Sequence, residues 1–496
     1  MRLACPLPGW AGWQSSGSLG SPALVNGTSG AGAAREDQPM AWRIGVDAGG
    51  TFTDVCLFDD STGRVELWKV ASTPDDPARG IAQGIEAAIR RTGLADDAAA
   101  ARLPVRSAVS DPVAGLLAAQ EMARLAGFDG LISFDMGGTR TAVALLRAGE
   151  VPGDGIRLVD AGGDSIACLD PKGRLTVGPG NSGPGPTVTD ANLVLQTLSP
   201  DRLPGGRAAL ARAAVGALAG TMGTDLLSAA QGILSAVTAT LAQAIRAVAP
   251  PRGSTLVAFG GAGPLHAARL ARELDIARIL VPRHAGTLGA LGLLLADLRA
   301  DFSTNLPMDL SADALPAIAE AAGLLRHRAA MWFAGQKIPA QARCISRSLE
   351  LRYAGRADEL PVPLPDGPVT VAMLAAAAKV FAAAHRLIHG DTAEGATVQL
   401  VTVRVAAAGL LARPGFAPRP DAGPDATAAR TGSRAVWLPE AGGWAACPVY
   451  DRDRLDAGNR IAGPAIVEQM DGTTVILPGM TAQVDPTLNL VLRDGG

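Results

Sequence analysis

Two short stretches hold residue types whose spacing suits phosphate chemistry. "IGVDAGGTFTDV" spans 44–55 and "ISFDMGGTRTAV" spans 132–143. Each reads apolar run, Asp, one residue, Gly-Gly-Thr, one residue, Thr, and seven of the twelve positions are identical. An Asp at the end of a buried strand followed by Gly-Gly-Thr makes a tight turn between two strands. The glycines carry no side chain, so backbone N–H groups can approach an anion, and the Thr hydroxyls add donors. The carboxylate itself repels phosphate. It suits hydrated Mg2+ or an oriented water, and the metal then meets the phosphate. Asp47 and Asp135 are thus candidate catalytic and metal-holding residues. A third loop, "FGGAG" at 259–263, follows a strand and opens a helix, a place for an adenosine or for a phosphate at the helix N-terminus. The repeat predicts two related subdomains whose turns face each other across a cleft and grip one polyphosphate, with ATP and Mg2+ as cofactors. Asp54 reads either as the close of the first loop or as a hairpin cap.

The elements that must position these loops follow from periodicity. Residues 43–70 read as a β-hairpin with a turn at "DSTGR", and Ile81, Ile85 and Ile89 mark a helix that Asp76 caps and Gly93 stops. A second helix starts at Asp111-Pro112 and runs to about Ala126. "GLISFDMGGTRTAVALLRAGE" repeats the strand–turn–strand pattern, and "DSIACLDPKGRLTVG" is a hairpin turning at Asp170–Gly173. Ala/Leu-rich helices fill 207–219 and about 224–249. Strand "TLVAF", the Gly loop, helix "PLHAARLAREL", strand "ARILVP" and helix "HAGTLGALGLLLADL" then form a parallel βαβ pattern. Short β-like runs dominate beyond about 340.

Composition narrows the class. With 496 residues, two or three domains are expected. Hydrophobic content of 48% with 18% charged residues describes a globular chain, and a net charge of −3 without a Lys/Arg-rich tract argues against nucleic acid. The five cysteines lie far apart without a C-x-x-C, and read as small buried hydrophobes. The five histidines include no H-E-x-x-H. No apolar run reads as long enough to span a membrane, and the first 39 residues lack the basic and apolar regions of a signal peptide. They read as a disordered tail before Met40, and a cytoplasmic protein is expected.

The order of the three loops resembles the actin, sugar-kinase and heat-shock-chaperone superfamily. More closely, "RIGVDAGGTFTDVCLFD", "GFDGLISFDMGGTRTAV", "PTVTDANLVL", "LVAFGGAGPLHAARLARELDI", "HAGTLGALGLLLAD" and "GPAIVEQMDGTTVILPGMTAQVD" resemble blocks of the A subunit of the hydantoinase/oxoprolinase family, across about 43–496. The resemblance implies an α/β fold of duplicated ribonuclease-H-like (actin-like ATPase) subdomains plus a β-rich C-terminal domain. The expected division is a 1–39 tail, a 40–305 ATPase domain, a 306–340 helical connector and a 341–496 β-rich domain. Asp47, Gly49, Gly50, Thr51 and Thr53 would form the first phosphate loop. Asp135, Gly137, Gly138 and Thr139 would form the second, and Gly260, Gly261 and Gly263 would sit at the adenosine. Asp190, His266, His284, His385 and His389 are further polar residues in or near family-like blocks, each also compatible with a plain packing role.

The chain departs from the family pattern in places. The Ala-rich run 95–102 leads straight to "RLPVRSAVSDPVAG", so the first subdomain reads as incomplete, truncated near 94–103. Asp111 stands where a Gly is expected, Arg140 where a small Ser is, Ala142 where an Asp is, and Arg356 where a Gln is. Arg140 would either meet a phosphate or fill the site by pairing with Asp47 or Asp135. The implied activity is ATP-dependent hydrolysis of a cyclic amide through phosphorylation of its oxygen, in an oligomer with a B-type subunit. One alternative is a non-catalytic nucleotide-binding paralogue that docks on a partner. Another is a subunit of an ATP-dependent ketone carboxylase. A sugar-type kinase is disfavoured by the β-rich C-terminal part.

Overall fold

The computed structural model describes residues 42–48, 52–59, 65–73, 75–92, 112–147, 155–178, 184–203, 206–390, 395–410 and 415–495. Of the described residues, those up to Leu295 and from Gly415 onward form one compact unit, and those from Ala296 to Leu410 form the other.

The first unit opens with strands β1 (Trp42–Ala48), β2 (Phe52–Asp59) and β3 (Val65–Ala71) in one antiparallel sheet, followed by helix α1 (Pro77–Thr92). Period-two alternation gives this sheet two apolar faces. Ile44, Val46, Val55, Leu57 and Trp68 pack under α1 through Ala88, Ile81 and Ile85, while Cys56 and Phe58 join the larger core. Helix α2 (Pro112–Leu125) leads into the second copy of the motif, strands β4 (Gly130–Met136) and β5 (Thr141–Arg147). Next come β6 (Arg157–Val159), the hairpin β7 (Ala167–Leu169) and β8 (Leu175–Val177), and helices α3 (Val188–Val194), α4 (Arg207–Met222) and α5 (Leu226–Ala247). The expected βαβ pattern follows as β9 (Thr255–Phe259), α6 (Gly263–Glu273) and β10 (Arg278–Val281), then α7 (Leu288–Leu295).

The second unit is a four-stranded antiparallel sheet with two helices. Its elements are β11 (Leu298–Asp309), α8 (Leu315–Gly335), β12 (Arg343–Tyr353), β13 (Leu360–Leu364), α9 (Val371–His389) and β14 (Val398–Gly409), in strand order β11-β14-β12-β13. Ile318, Leu325 and Phe333 of α8 and Leu374 and Phe381 of α9 close over Leu349, Leu351, Val403 and Val405 of the sheet. The chain then returns to the first unit as β15 (Arg430–Leu438), β16 (Gly443–Asp451), β17 (Arg460–Ala462), β18 (Ala465–Gln469), β19 (Gly472–Ile476), β20 (Met480–Val484) and β21 (Leu490–Asp494).

The fold class is α/β with a β-rich C-terminal region, as expected. The domain limits differ. The segment expected as a connector at 306–340 takes in the end of β11 and the whole of α8, a core helix of the second unit. The stretch expected as one domain at 341–496 divides between the units. The reason is backbone pairing. β21 runs antiparallel to β10 from Arg278↔Arg493 to Val281↔Leu490, which places it in an eight-stranded sheet of order β17-β20-β21-β10-β9-β4-β5-β6. The N-terminal tail, Asp111 and the expected truncation point at 94–103 lie outside the described residues. Helices α5 and α9 are each long and apolar enough to cross a bilayer, contrary to the reading that no run reaches that length. Each lays one face on its own unit's core: Ile233, Val237 and Leu241 for α5, and Leu374, Ala377 and Phe381 for α9.

Candidate functional site

Described residues of both copies of the repeated motif line one cavity of about 510 Å³ in the first unit. Asp47 comes from β1, Asp54 from β2 and Lys69 from β3. Asp135 is the last residue but one of β4, the loop Gly137–Arg140 follows that strand, and Gly260 and Gly261 follow β9. The parallel pairing of β4 with β9 sets Asp135 beside Phe259, so the second and third loops emerge at the same sheet end. Ligand sites of open α/β sheets lie at such strand C-termini.

The two copies differ in the residue facing the Asp. In the first, Asp47 pairs across the strands with Asp54; in the second, Asp135 pairs with Ala142. Two carboxylates directly opposite repel. Lys69, the next cross-strand neighbour of Asp54, offsets this with an ion pair of 2.7 Å and a 3.1 Å hydrogen bond to the Gly286 carbonyl. Even so, burial outweighs Lys69 and pushes the Asp54 carboxyl up to about 6. Burial pushes Asp135 up to about 7, and the charges of Asp47 and Asp54 add to the rise. The wall therefore gathers the three carboxylates of Asp47, Asp54 and Asp135 against Lys69 and an Arg140 that Asp160 already pairs, a set that suits a divalent cation with oxygen ligands.

Glycines make the room. A Cβ on Gly260, which sits at φ +79°, would strike Asp135 Oδ1, and one on Gly289 of α7 would strike Asp47 Oδ2. A Cβ on Gly115 of α2 would lie 2.8 Å from the Phe259 ring. The second loop is braced from behind: Gly163 N–H donates to Gly137 O at 3.0 Å and Asp164 N–H to Gly138 O at 2.6 Å. Lys69, Gly115, Gly286 and Gly289 received no role from the sequence. The signal for Gly289 was the "GTLGALG" glycine spacing, but nothing local ties it to Asp47, which lies far away in the chain.

The structure brings together Asp47, Asp135, Gly137, Gly138, Thr139, Gly260 and Gly261, with Asp54 beside them. It turns Thr53 away: its hydroxyl meets Ser72 Oγ at 3.0 Å, on the side of the sheet that faces α1. Gly263 does not line the cavity either; a Cβ on it would lie 3.4 Å from the Phe134 carbonyl oxygen. Gly49, Gly50 and Thr51 lie outside the described residues. Arg140 lines the cavity but pairs with Asp160 at 2.9 Å, not with Asp47 or Asp135. Asp190 closes a capping box with Thr187 at the start of α3. His266 is buried against Asn192, and burial with Arg269 pulls it down to about 3, so it stays neutral. Burial, then Arg283, pulls His284 down to about 4.

Comparison with known proteins gives these loops a lineage. Models of the hydantoinase/oxoprolinase N-terminal region, of hydantoinase/oxoprolinase and of the hydantoinase/oxoprolinase C-terminal domain match residues 43–103, 91–302 and 309–494. The chain is 33% identical to caprolactamase subunit alpha of Pseudomonas jessenii over 78% of its length and 61% of the relative's. It thus spans about three fifths of that relative. The crystal structure of ATP-dependent caprolactamase from Pseudomonas jessenii superposes with a TM-score of 0.60 at 29% identity, over 78% of this chain and 62% of that one. The nucleotide-free structure of acetone carboxylase shares the fold, with a TM-score of 0.77 at 17% identity, over 91% and 99% of the two chains. Loops, order of elements and three adjoining matches agree, and the chain belongs to the hydantoinase/oxoprolinase family.

Proposed function

We propose that this chain is the nucleotide-binding subunit of an ATP-dependent hydrolase of cyclic amides, working with a B-type subunit. The observation that carries the reading is the convergence of Asp47 from the first motif, Asp135 and the Gly137–Thr139 loop from the second, and the Gly260 loop on one cavity. Kinship to an ATP-dependent caprolactamase supports the amide as substrate class. The residues fit Mg2+: Asp47 and Asp135 are hard oxygen donors, and glycines keep side chains off both carboxylates. When bound, Mg2+ would neutralise phosphate charge and so ease phosphoryl transfer.

The chain's own residues do the rest. Gly137, Gly138, Gly260 and Gly261 let backbone approach the phosphates without a side chain in the way. With no cation beside it Asp135 holds its proton up to about pH 7, and the carboxyl gives that proton up on becoming a cation ligand. Lys69 holds Asp54 at the cavity wall, keeping that carboxylate off the substrate's path. Phosphorylation of the amide oxygen by ATP, with release of ADP, removes the amide resonance and makes the ring carbon open to water. Water adds there, the C–N bond breaks as the nitrogen takes a proton, and the acyl phosphate so formed loses phosphate to a second water. Positioning and charge neutralisation are then the protein's main tasks.

A second reading has one specific observation behind it. Ala142 stands across from Asp135, where the first copy has Asp54 across from Asp47. One half of the site is poorer in carboxylates, as expected of a paralogue that binds nucleotide without turning it over. Calorimetric titration with Mg·ATP tests both. Saturable binding that falls at least about tenfold in Asp47→Ala and Asp135→Ala is expected. ADP release with a cyclic amide and a B-type subunit, lost in both variants, supports the hydrolase. Binding without release leaves the non-catalytic reading, and no binding removes both.

A further inference from the structure

The second unit carries a cluster that the nucleotide reading does not use. His385 and His389 lie one helical turn apart on α9, so their side chains share a face. Their ring centroids are 4.5 Å apart and tilted by 36°. Asp358, from the loop between β12 and β13, completes the group. One ligand-capable atom from each of the three lies within 4.8 Å of the others.

The surroundings favour a cation. His385 is buried, and its ring is fixed edge-on against Tyr353 at 4.9 Å and tilted against Phe381 at 5.7 Å. A ligand whose orientation is locked by packing loses little freedom when it binds metal. His389 is the last residue of α9 before Gly390, which caps the helix in the left-handed conformation at φ +77°. The carbonyl end of a helix carries partial negative charge, which adds to the pull of Asp358 on a cation. His389 and Asp358 are exposed and the buried His385 lies behind them, so the cluster is open to solvent on one side. Two imidazoles and one carboxylate form a mixed nitrogen and oxygen set that suits a first-row divalent ion such as Zn2+.

We propose that Asp358, His385 and His389 form a divalent transition-metal site that clips the C-terminal end of α9 to the β12–β13 loop. The ion supplies a cross-link between elements adjacent to each other only through the core, and leaves coordination positions for water. The site is separate in sequence and in unit from the nucleotide cavity, so it stands whether or not that reading holds.

The test uses the full chain and Zn2+ alone. Calorimetry is run on the parent, on His389→Ala and Asp358→Asn, whose exposed side chains can be changed without opening the core, and on Asp47→Ala as a control for the cavity carboxylates. The expected result is one-to-one uptake that weakens by about tenfold or more in both His389→Ala and Asp358→Asn and persists in Asp47→Ala. A Zn2+-dependent rise in Tm should appear in the parent and the control and vanish in the two cluster variants. No uptake by the parent, uptake unchanged in either cluster variant, or uptake lost in Asp47→Ala would overturn the proposal and leave an ordinary His–carboxylate contact at a helix end.

Discussion

At the scale of the residue, Asp135 has a measurable signature. Its folded carboxyl titrates near 7 against an ordinary value of 3.8. Between those values the folded chain binds more protons than the unfolded one, so this group makes stability fall as pH rises, and its full cost is present above about 7. Asp135→Asn cannot ionise. It should be more stable than the parent at pH 8, by up to about 4 kcal/mol, and no more stable at pH 4. Denaturant unfolding at the two pH values checks this, and equal stability at pH 8 would contradict the assigned burial. The same variant should bind Mg·ATP poorly, a functional residue held at a cost to stability. Asp54 titrates upward as well, but Lys69 limits the rise, so Lys69→Met should destabilise the chain at neutral pH by roughly 3 kcal/mol through an unpaired buried carboxylate.

At the scale of the element, α7 decides whether the two motif copies meet. A Cβ on Gly292 would strike the Ala114 carbonyl of α2, and one on Gly45 would strike the Ala290 carbonyl of α7. α7 therefore packs backbone against backbone between β1 and α2, and Arg43 donates to the Leu294 carbonyl at 3.3 Å to hold the contact. Gly289→Ala adds one methyl against Asp47 Oδ2. It should weaken Mg·ATP binding by about tenfold or more while costing stability of about 1–3 kcal/mol, the ordinary range for overpacking. Gly323→Ala, where a Cβ meets nothing within 4 Å, is the matched control and should leave both unchanged or slightly raise stability. An affinity unaffected by Gly289→Ala would show that Asp47 does not take part.

At the scale of the whole molecule, the two units predict different fates for two fragments. Residues 296–412 contain a closed four-stranded register and their own core, so this fragment should fold alone with a single cooperative transition. Residues 413–496 should not, because β21 needs β10 for its outer edge and Trp437 N–H donates to Leu195 O at 2.9 Å. Circular dichroism and thermal melts of the two fragments check both outcomes. A cooperative melt from 413–496 alone would overturn the division.

How much was legible in the sequence depended on range. Period-two alternation placed β2, apolar runs placed β1, β4 and β9, and Gly and Pro placed the ends of α1 and the start of α6, because strand and helix signals are local. The repeated Asp-Gly-Gly-Thr was visible as a repeat, and the chemistry of the pattern led to the expectation of one shared cleft, where Asp47 and Asp135 do meet. Thr53 was misplaced because one step along a strand flips the side chain to the other face, and the face is set by what packs there. Lys69 and Gly289 were invisible because each matters only through a partner brought near by sheet register or helix packing. The domain limits failed for the same reason: a β-rich run looks alike whichever sheet it joins, and only the hydrogen bonds from β21 to β10 decide. Sequence alone determined the parts of this protein and the chemistry they can perform. Tertiary structure decided which parts stand opposite each other, because the contacts that do so join residues far apart along the chain.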